Sequence, residues 1–211
     1  DMVETVRRNI REVVRGADRA TVTAVVYMTL ALACYYYFGI QDFFVKTFGA
    51  RFADPEKLLY WQYIYHNFMA FAFFFLPALP VVKFGAKRGF ARVGLGAGEK
   101  KLGGKIILLA LVVAPLISLS AAGDPEMKAL YPLSGALVFR SAGCFLLYYL
   151  SLGAYYFGWE FLFRGFGFFP MCDKYGPALA IAVSTMISSA GPYLSHIGKK
   201  PKPRNRNSQP K

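Results

Sequence analysis

The amino-acid sequence predicts an all-α fold: a multi-pass transmembrane helical bundle with at least five spans, preceded by an N-terminal amphipathic helix. Three observations carry this. The 211 residues are 55% hydrophobic and 17% aromatic, with a mean hydropathy of +0.35, too apolar for an ordinary soluble domain. The charges are segregated: residues 21–40, 58–82, 106–123, 141–159 and 175–198 contain no Asp, Glu, Lys or Arg. Each stretch is close to the roughly 20 residues a helix needs to cross a bilayer core. Basic residues also concentrate in alternate connecting segments, the pattern that orients membrane proteins. A soluble bundle would instead carry charge every few residues on its outer faces.

Taken in order, residues 1–20 place Val3, Val6, Ile10, Val13, Val14 and Ala17 at helical spacing, with Arg7, Arg8, Arg11, Arg15 and Arg19 on the remaining face. That pattern suits a helix lying in the membrane surface; the simpler alternative is a basic juxtamembrane segment that fixes orientation. The domain proper runs over residues 21–198. Tyr35, Tyr36, Tyr37, Trp61, Tyr63 and Tyr65 fall near span ends, where amphipathic rings form an aromatic belt. His66, beside Asn67, lies a turn or two inside the second span, and a hydrogen bond to a neighbouring helix is the preferred reading over a functional group.

The segment 83–105 is basic, with Lys83, Lys87, Arg88, Arg92, Lys100, Lys101 and Lys105. It belongs with the N-terminus on the cytoplasmic side. Its glycines, Gly94-x-Gly96-x-Gly98, lack the spacing of a nucleotide-binding loop and follow no strand, so a flexible linker is expected. Residues 129–139 are apolar but short, an interfacial piece or the start of the fourth span. The net charge of +13, distributed in this way, selects anionic lipid headgroups as partners and not nucleic acid. Cys34, Cys144 and Cys172 form no CxxC pair and have no nearby histidine, so neither a disulfide framework nor a zinc cluster is indicated.

Glu160 and Arg164 are the candidate site. A charge near the bilayer centre costs about 2.5–3.5 kcal/mol, yet here an acid and a base persist four residues apart. That spacing puts both on one helix face, with Glu on the favourable N-terminal side, and the pair is expected to point inward at a partner helix or a wet cavity. His196 ends the following apolar segment. A carboxylate can deprotonate water while an imidazole polarises a carbonyl or protonates a leaving amine. The plainer alternative makes Glu160–Arg164 a structural ion pair and His196 an interfacial residue.

Glu160-Phe161-Leu162-Phe163-Arg164-Gly165, followed by His196-Ile197-Gly198-Lys199, resembles the CAAX prenyl protease and bacteriocin-processing (CPBP) family. Its hallmark helix reads Glu-Glu-x-x-x-Arg-Gly, and its next helix carries Phe-x-x-x-His. The likeness covers about residues 140–198. It implies an intramembrane endopeptidase acting on a peptide or lipidated protein tail. By that resemblance Glu160 is the acid/base or water-orienting carboxylate, Arg164 its electrostatic partner, and His196 the oxyanion-stabilising or proton-donating group. Zinc is sometimes assumed for the family, and two histidines on different spans are thin support for it. Trp159 stands where the family has its first Glu, and Pro192 stands in place of the Phe. The family's later helix, with its further His or Asn, is missing.

Residues 199–211 change character to a basic, proline-rich tail that is disordered by composition. Five crossings would place this tail outside, against the charge pattern. A miscounted span, a re-entrant last segment or a frame-shifted, non-native tail each reconciles the two.

Overall fold

The computed structural model describes residues 4–5, 18–96 and 98–186. The expected amphipathic helix at 1–20 lies almost wholly outside the described residues, as do His196 and the 199–211 tail. Among those described, regular structure is entirely helical. Helical stretches at Arg19–Arg51 (33 residues), Pro55–Gly85 (31 residues) and Lys100–Leu119 (20 residues) are long and apolar enough to cross a membrane. Of the other two charge-free segments, 141–159 folds as Ala142–Glu160, and the described part of 175–198 holds the helix Pro177–Met186.

Local chemistry explains where three of the helices start. The first, α1 (Arg19–Cys34), begins at Asp18, whose extended backbone turns its carboxylate onto the N–H groups of Ala20 and Thr21 and the Thr21 hydroxyl. A side-chain acceptor satisfies donors that the first helical turn leaves open. The chain continues through a wide π turn at Tyr35–Gly39 into α2 (Gln41–Phe48). Asp54 caps α3 (Pro55–Phe74) through the Glu56 N–H, with proline at the start of the helix, where its missing N–H costs nothing. A helical turn and a second π turn carry α3 to Gly85. Then come α4 (Lys100–Ala121) and the short α5 (Pro125–Leu130). Ser141 caps α6 (Ala142–Glu160) through the Cys144 N–H. A π turn at Phe161–Gly167 leads into α7 (Phe168–Tyr175), and α8 (Pro177–Met186) follows.

Residues 129–139 are neither a span nor the start of one. They hold the end of α5 and a 3₁₀ turn at Ala136–Phe139, which buries Leu137 and Val138 against Tyr60, Ile64 and Tyr148. Eleven residues rise too little as a helix to cross a bilayer, so the segment gains more by plugging the gap between α3 and α6.

The most extensive packing is between α3 and α6. A Cβ at Gly158 would come within 3.0 Å of the Phe71 Cα and 3.3 Å of the Ala70 carbonyl oxygen, so the two backbones meet almost directly. Nearby, buried Asn67 donates to the Ser151 hydroxyl at 3.0 Å, and that hydroxyl donates to the Tyr148 carbonyl at 2.7 Å. Tyr60 donates to the Cys144 carbonyl at 2.8 Å. Small residues and cross-helix hydrogen bonds are how apolar helices associate when lipid competes for their side chains. Helix α1 joins this pair through the Tyr27 hydroxyl, which donates to the Phe73 carbonyl at 2.7 Å. In contrast, α4 stands apart, with Leu108, Leu111, Leu116 and Leu119 all more than 60% exposed. A helix apolar around its whole circumference suits lipid and not water.

One end of the bundle gathers several termini. The Arg19 Nε donates at 2.8 Å to the Gly85 carbonyl, a cation at the carbonyl-rich end of the α3 run. The Thr21 hydroxyl reaches the Pro170 carbonyl at 3.4 Å, and Arg88 pairs with Asp173. The start of α1, the 83–95 segment and the end of α7 therefore share one end.

Two predictions follow from these contacts. Gly158→Val should lower thermal stability in detergent by about 1–3 kcal/mol, the usual cost of overpacking; a melt matching the parent protein would refute the close α3–α6 contact. Burial pushes the Asp18 carboxyl up, but hydrogen bonds from Thr21 and Ala20, aided by the charge of Lys174, outweigh it and leave the group below its ordinary value of 3.8. A depressed folded value means that its contribution is complete above about pH 4 and is lost as pH falls through the folded value. Asp18→Ala should therefore cost about 1 kcal/mol at neutral pH and much less in acid. Asp18→Asn should keep the cap and remove its pH dependence, read as melting temperature against pH.

Candidate functional site

Glu160 is the last residue of α6, and Arg164 lies in the π turn that follows. The Arg164 guanidinium donates to the Glu160 carboxylate, so the i,i+4 pair forms. It does not point into the bundle. The side chains of Arg164 and Glu160 are 72% and 45% exposed. The reason lies in the neighbouring residues. Trp159, Leu162, Phe163 and Phe166 recur at i, i+3, i+4 and i+7, the spacing of one helix stripe. That stripe is the inward one: Leu162, Phe163 and Phe166 are buried, and Trp159 packs on Phe74, Tyr155 and Phe163. Glu160 and Arg164 sit one position on from Trp159 and Phe163 and are turned off it.

The pair opens onto a pocket of about 310 Å³. Phe157, Phe161 and Phe169 line it from the helix side, Gly165 contributes backbone, and Gly94 and Leu95 form the opposite wall. The 83–105 segment was expected to be a flexible linker, but residues 90–95 are folded: a 3₁₀ turn at Phe90–Val93 closes at Gly94 with φ +89°, a value glycine adopts freely. Val93 is completely buried. The sequence reading missed this wall. A glycine inside a basic stretch signals a tight turn but not its partner.

His66 lies away from the pair. The Tyr35 hydroxyl sits 2.9 and 3.0 Å from its ring nitrogens, and its ring stacks on Tyr155 with centroids 5.6 Å apart. Tyr35 therefore faces inward, while Tyr36 and Tyr37 are exposed as belt residues would be. Because His196 lies outside the described residues, its distance from Glu160 is not among the contacts of this site. No group of three or more His, Cys, Asp and Glu that could hold a metal occurs among the described residues. The donor set at the pair is one carboxylate already engaged by Arg164, so these residues alone do not fit zinc.

Chemically, the arrangement offers a carboxylate hydrogen-bonded to a guanidinium at the lip of an aromatic cleft. Among the described residues, fold and site define an all-helical protein with apolar helices long enough to cross a membrane and the Glu160–Arg164 pair at that cleft. Comparison with protein-family models, with curated proteins and with solved structures finds no match for this chain.

Exposed i,i+4 pairs contribute little to folding, about 0.3–0.5 kcal/mol. Glu160→Gln should thus leave the melting temperature within about 2 °C of the parent's. A large drop would mean that the pair is a structural clamp.

Proposed function

We propose that this protein is a multi-pass integral membrane endopeptidase of the CAAX-processing type, with a cytoplasmic N-terminus, acting on a membrane-associated or lipidated peptide. The observation that carries the reading is the Glu160–Arg164 pair at the lip of an aromatic pocket. It gives a charged acid/base group access to a substrate bound against apolar walls. In this reading Glu160 takes a proton from water, the hydroxide attacks the scissile carbonyl carbon, and the resulting oxyanion is stabilised by hydrogen-bond donors. His196 is proposed to supply such a donor, and the proton that Glu160 took from water passes to the departing amine as the C–N bond breaks. Arg164 pairs with the carboxylate and orients it. The five apolar segments are read as five crossings. The end where Arg19, Arg88 and Lys174 collect is assigned to the cytoplasm by its positive charge, with anionic lipid headgroups as its neighbours.

A second reading is favoured by Trp159. The position of the family's first Glu is filled by an indole stacked in the aromatic interior, which leaves one carboxylate where the family has two. A protein that binds a membrane peptide or lipid at the pocket, or scaffolds a partner there without cleaving, accounts for this.

Cleavage of a prenylated peptide in proteoliposomes separates the two. The parent should cleave, and Glu160→Gln and His196→Ala should each lose about 10²–10⁴-fold, the usual worth of a positioned proton donor or acceptor. Equal cleavage by all three would sink the catalytic assignment. Retention of the peptide without cleavage, abolished by Arg164→Ala, would establish the binding reading instead.

A further inference from the structure

We infer that residues 90–95 are a fixed wall of the Glu160–Arg164 pocket, set in place by two features outside the pair: a backbone seat at Gly165 and the Arg88–Asp173 bridge. The inference builds on the proposed use of that pocket, and it makes Gly165, Arg88 and Asp173 positioning residues.

The seat is a contact that side chains would abolish. A Cβ on Gly165 would lie 2.6 Å from the Val93 carbonyl oxygen. That oxygen is backbone and cannot rotate aside. From the other side, a Cβ on Gly94 would meet the Gly165 Cα at 3.3 Å and the Phe169 ring at 3.2 Å, and φ +89° at Gly94 already disfavours a side chain. Two glycines thus let the loop descend onto the π turn at Gly165. Below it, Val93 is buried in the cluster of Val82, Ala86, Phe161 and Phe166, with Leu95 packed against the same group. The loop is also tied internally, by Arg92 N–H to the Gly89 carbonyl at 2.9 Å and Leu95 N–H to the Phe90 carbonyl at 3.1 Å.

The bridge holds the loop's approach. Arg88 is largely covered, its side chain 17% exposed, and it pairs with Asp173 on α7, while its N–H bonds the Val82 carbonyl at 3.1 Å. The segment is therefore anchored to the α3 run at one point and to α7 at another, and Gly94 and Leu95 stand between. Their height above Phe161 sets the width of the cleft beside Glu160. A closely seated wall admits a narrow chain at this point and excludes a bulky one, so the seat governs binding and leaves the chemistry of the carboxylate alone.

The test uses a thiol reporter in the full chain. Cys34, Cys144 and Cys172 are replaced by alanine, Val93→Cys is introduced, and labelling by a water-soluble maleimide is followed in phosphatidylcholine vesicles. With the loop seated, position 93 should label far more slowly than Phe90→Cys, whose site is exposed. Gly165→Ala should speed labelling severalfold, and so should Asp173→Arg. Combining Arg88→Asp with Asp173→Arg should restore protection, and Glu160→Gln should leave it unchanged. The charge reversal keeps the test decisive if Gly165→Ala fails to fold. Labelling at 93 as fast as at 90 in the parent, or indifferent to the reversal, would overturn the inference. With the prenylated peptide, Asp173→Arg should raise KM or Kd severalfold with kcat preserved, and the double reversal should restore it. A fall in kcat alone would overturn the positioning role. If position 93 responds as expected but neither the parent nor any variant acts on or binds the peptide, the wall stands and the proposed function of the pocket falls.

Discussion

Between helices clothed in apolar side chains on every side, hiding one leucine behind another gains little, because lipid would cover it as well. Close approach and hydrogen bonding must then decide which helices meet. The contact of α3 with α6 answers both needs. Gly158 removes the side chain that would hold the backbones apart, and Asn67 and Ser151 satisfy each other across the gap. Apart from α4, the packed elements are referred to this pair. Helix α1 docks on it through Tyr27, the 136–139 turn fills one end, and the aromatic cluster around Phe74 and Phe163 fills the other.

The candidate site inherits its position from that packing. Once α6 is pinned at Gly158, the next inward stripe belongs to Trp159, Leu162, Phe163 and Phe166, and the ion pair is carried to the open side. The π turn over Phe161–Gly167 adds a residue to the turn, a device that often marks functional sites. It also delivers Gly165 to the loop. Because each charge has its partner on the same helix, the pair needs no help from another element. Its presence is therefore better explained by what it faces than by what it stabilises.

Charge distribution gives the molecule a polarity along its long axis. Arg19, Arg88 and Lys174 lie with the 83–95 loop at one end, where Arg19 meets helix-end carbonyls, Arg88 meets Asp173 and the charge of Lys174 acts on Asp18. The pocket is lined by Gly94 and Leu95 of that loop and so opens beside this end.

Much of this was legible in the sequence, and the limits have physical causes. Charge-free runs marked the helices, and the four-residue spacing marked the ion pair. Each of these is local: it depends on residues within one or two turns. The direction of the pair was not legible, because phenylalanine, tyrosine and leucine surround this helix and leave its periodicity without a phase. The seat of Val93 on Gly165 was hidden for another reason. A backbone meeting a backbone some seventy positions away leaves only glycines in the sequence, and a glycine names no partner. The sequence by itself determined the helices and which charges could pair; only the tertiary structure decided which way they face and what stands opposite, since those depend on helix rotation and on contacts between distant segments.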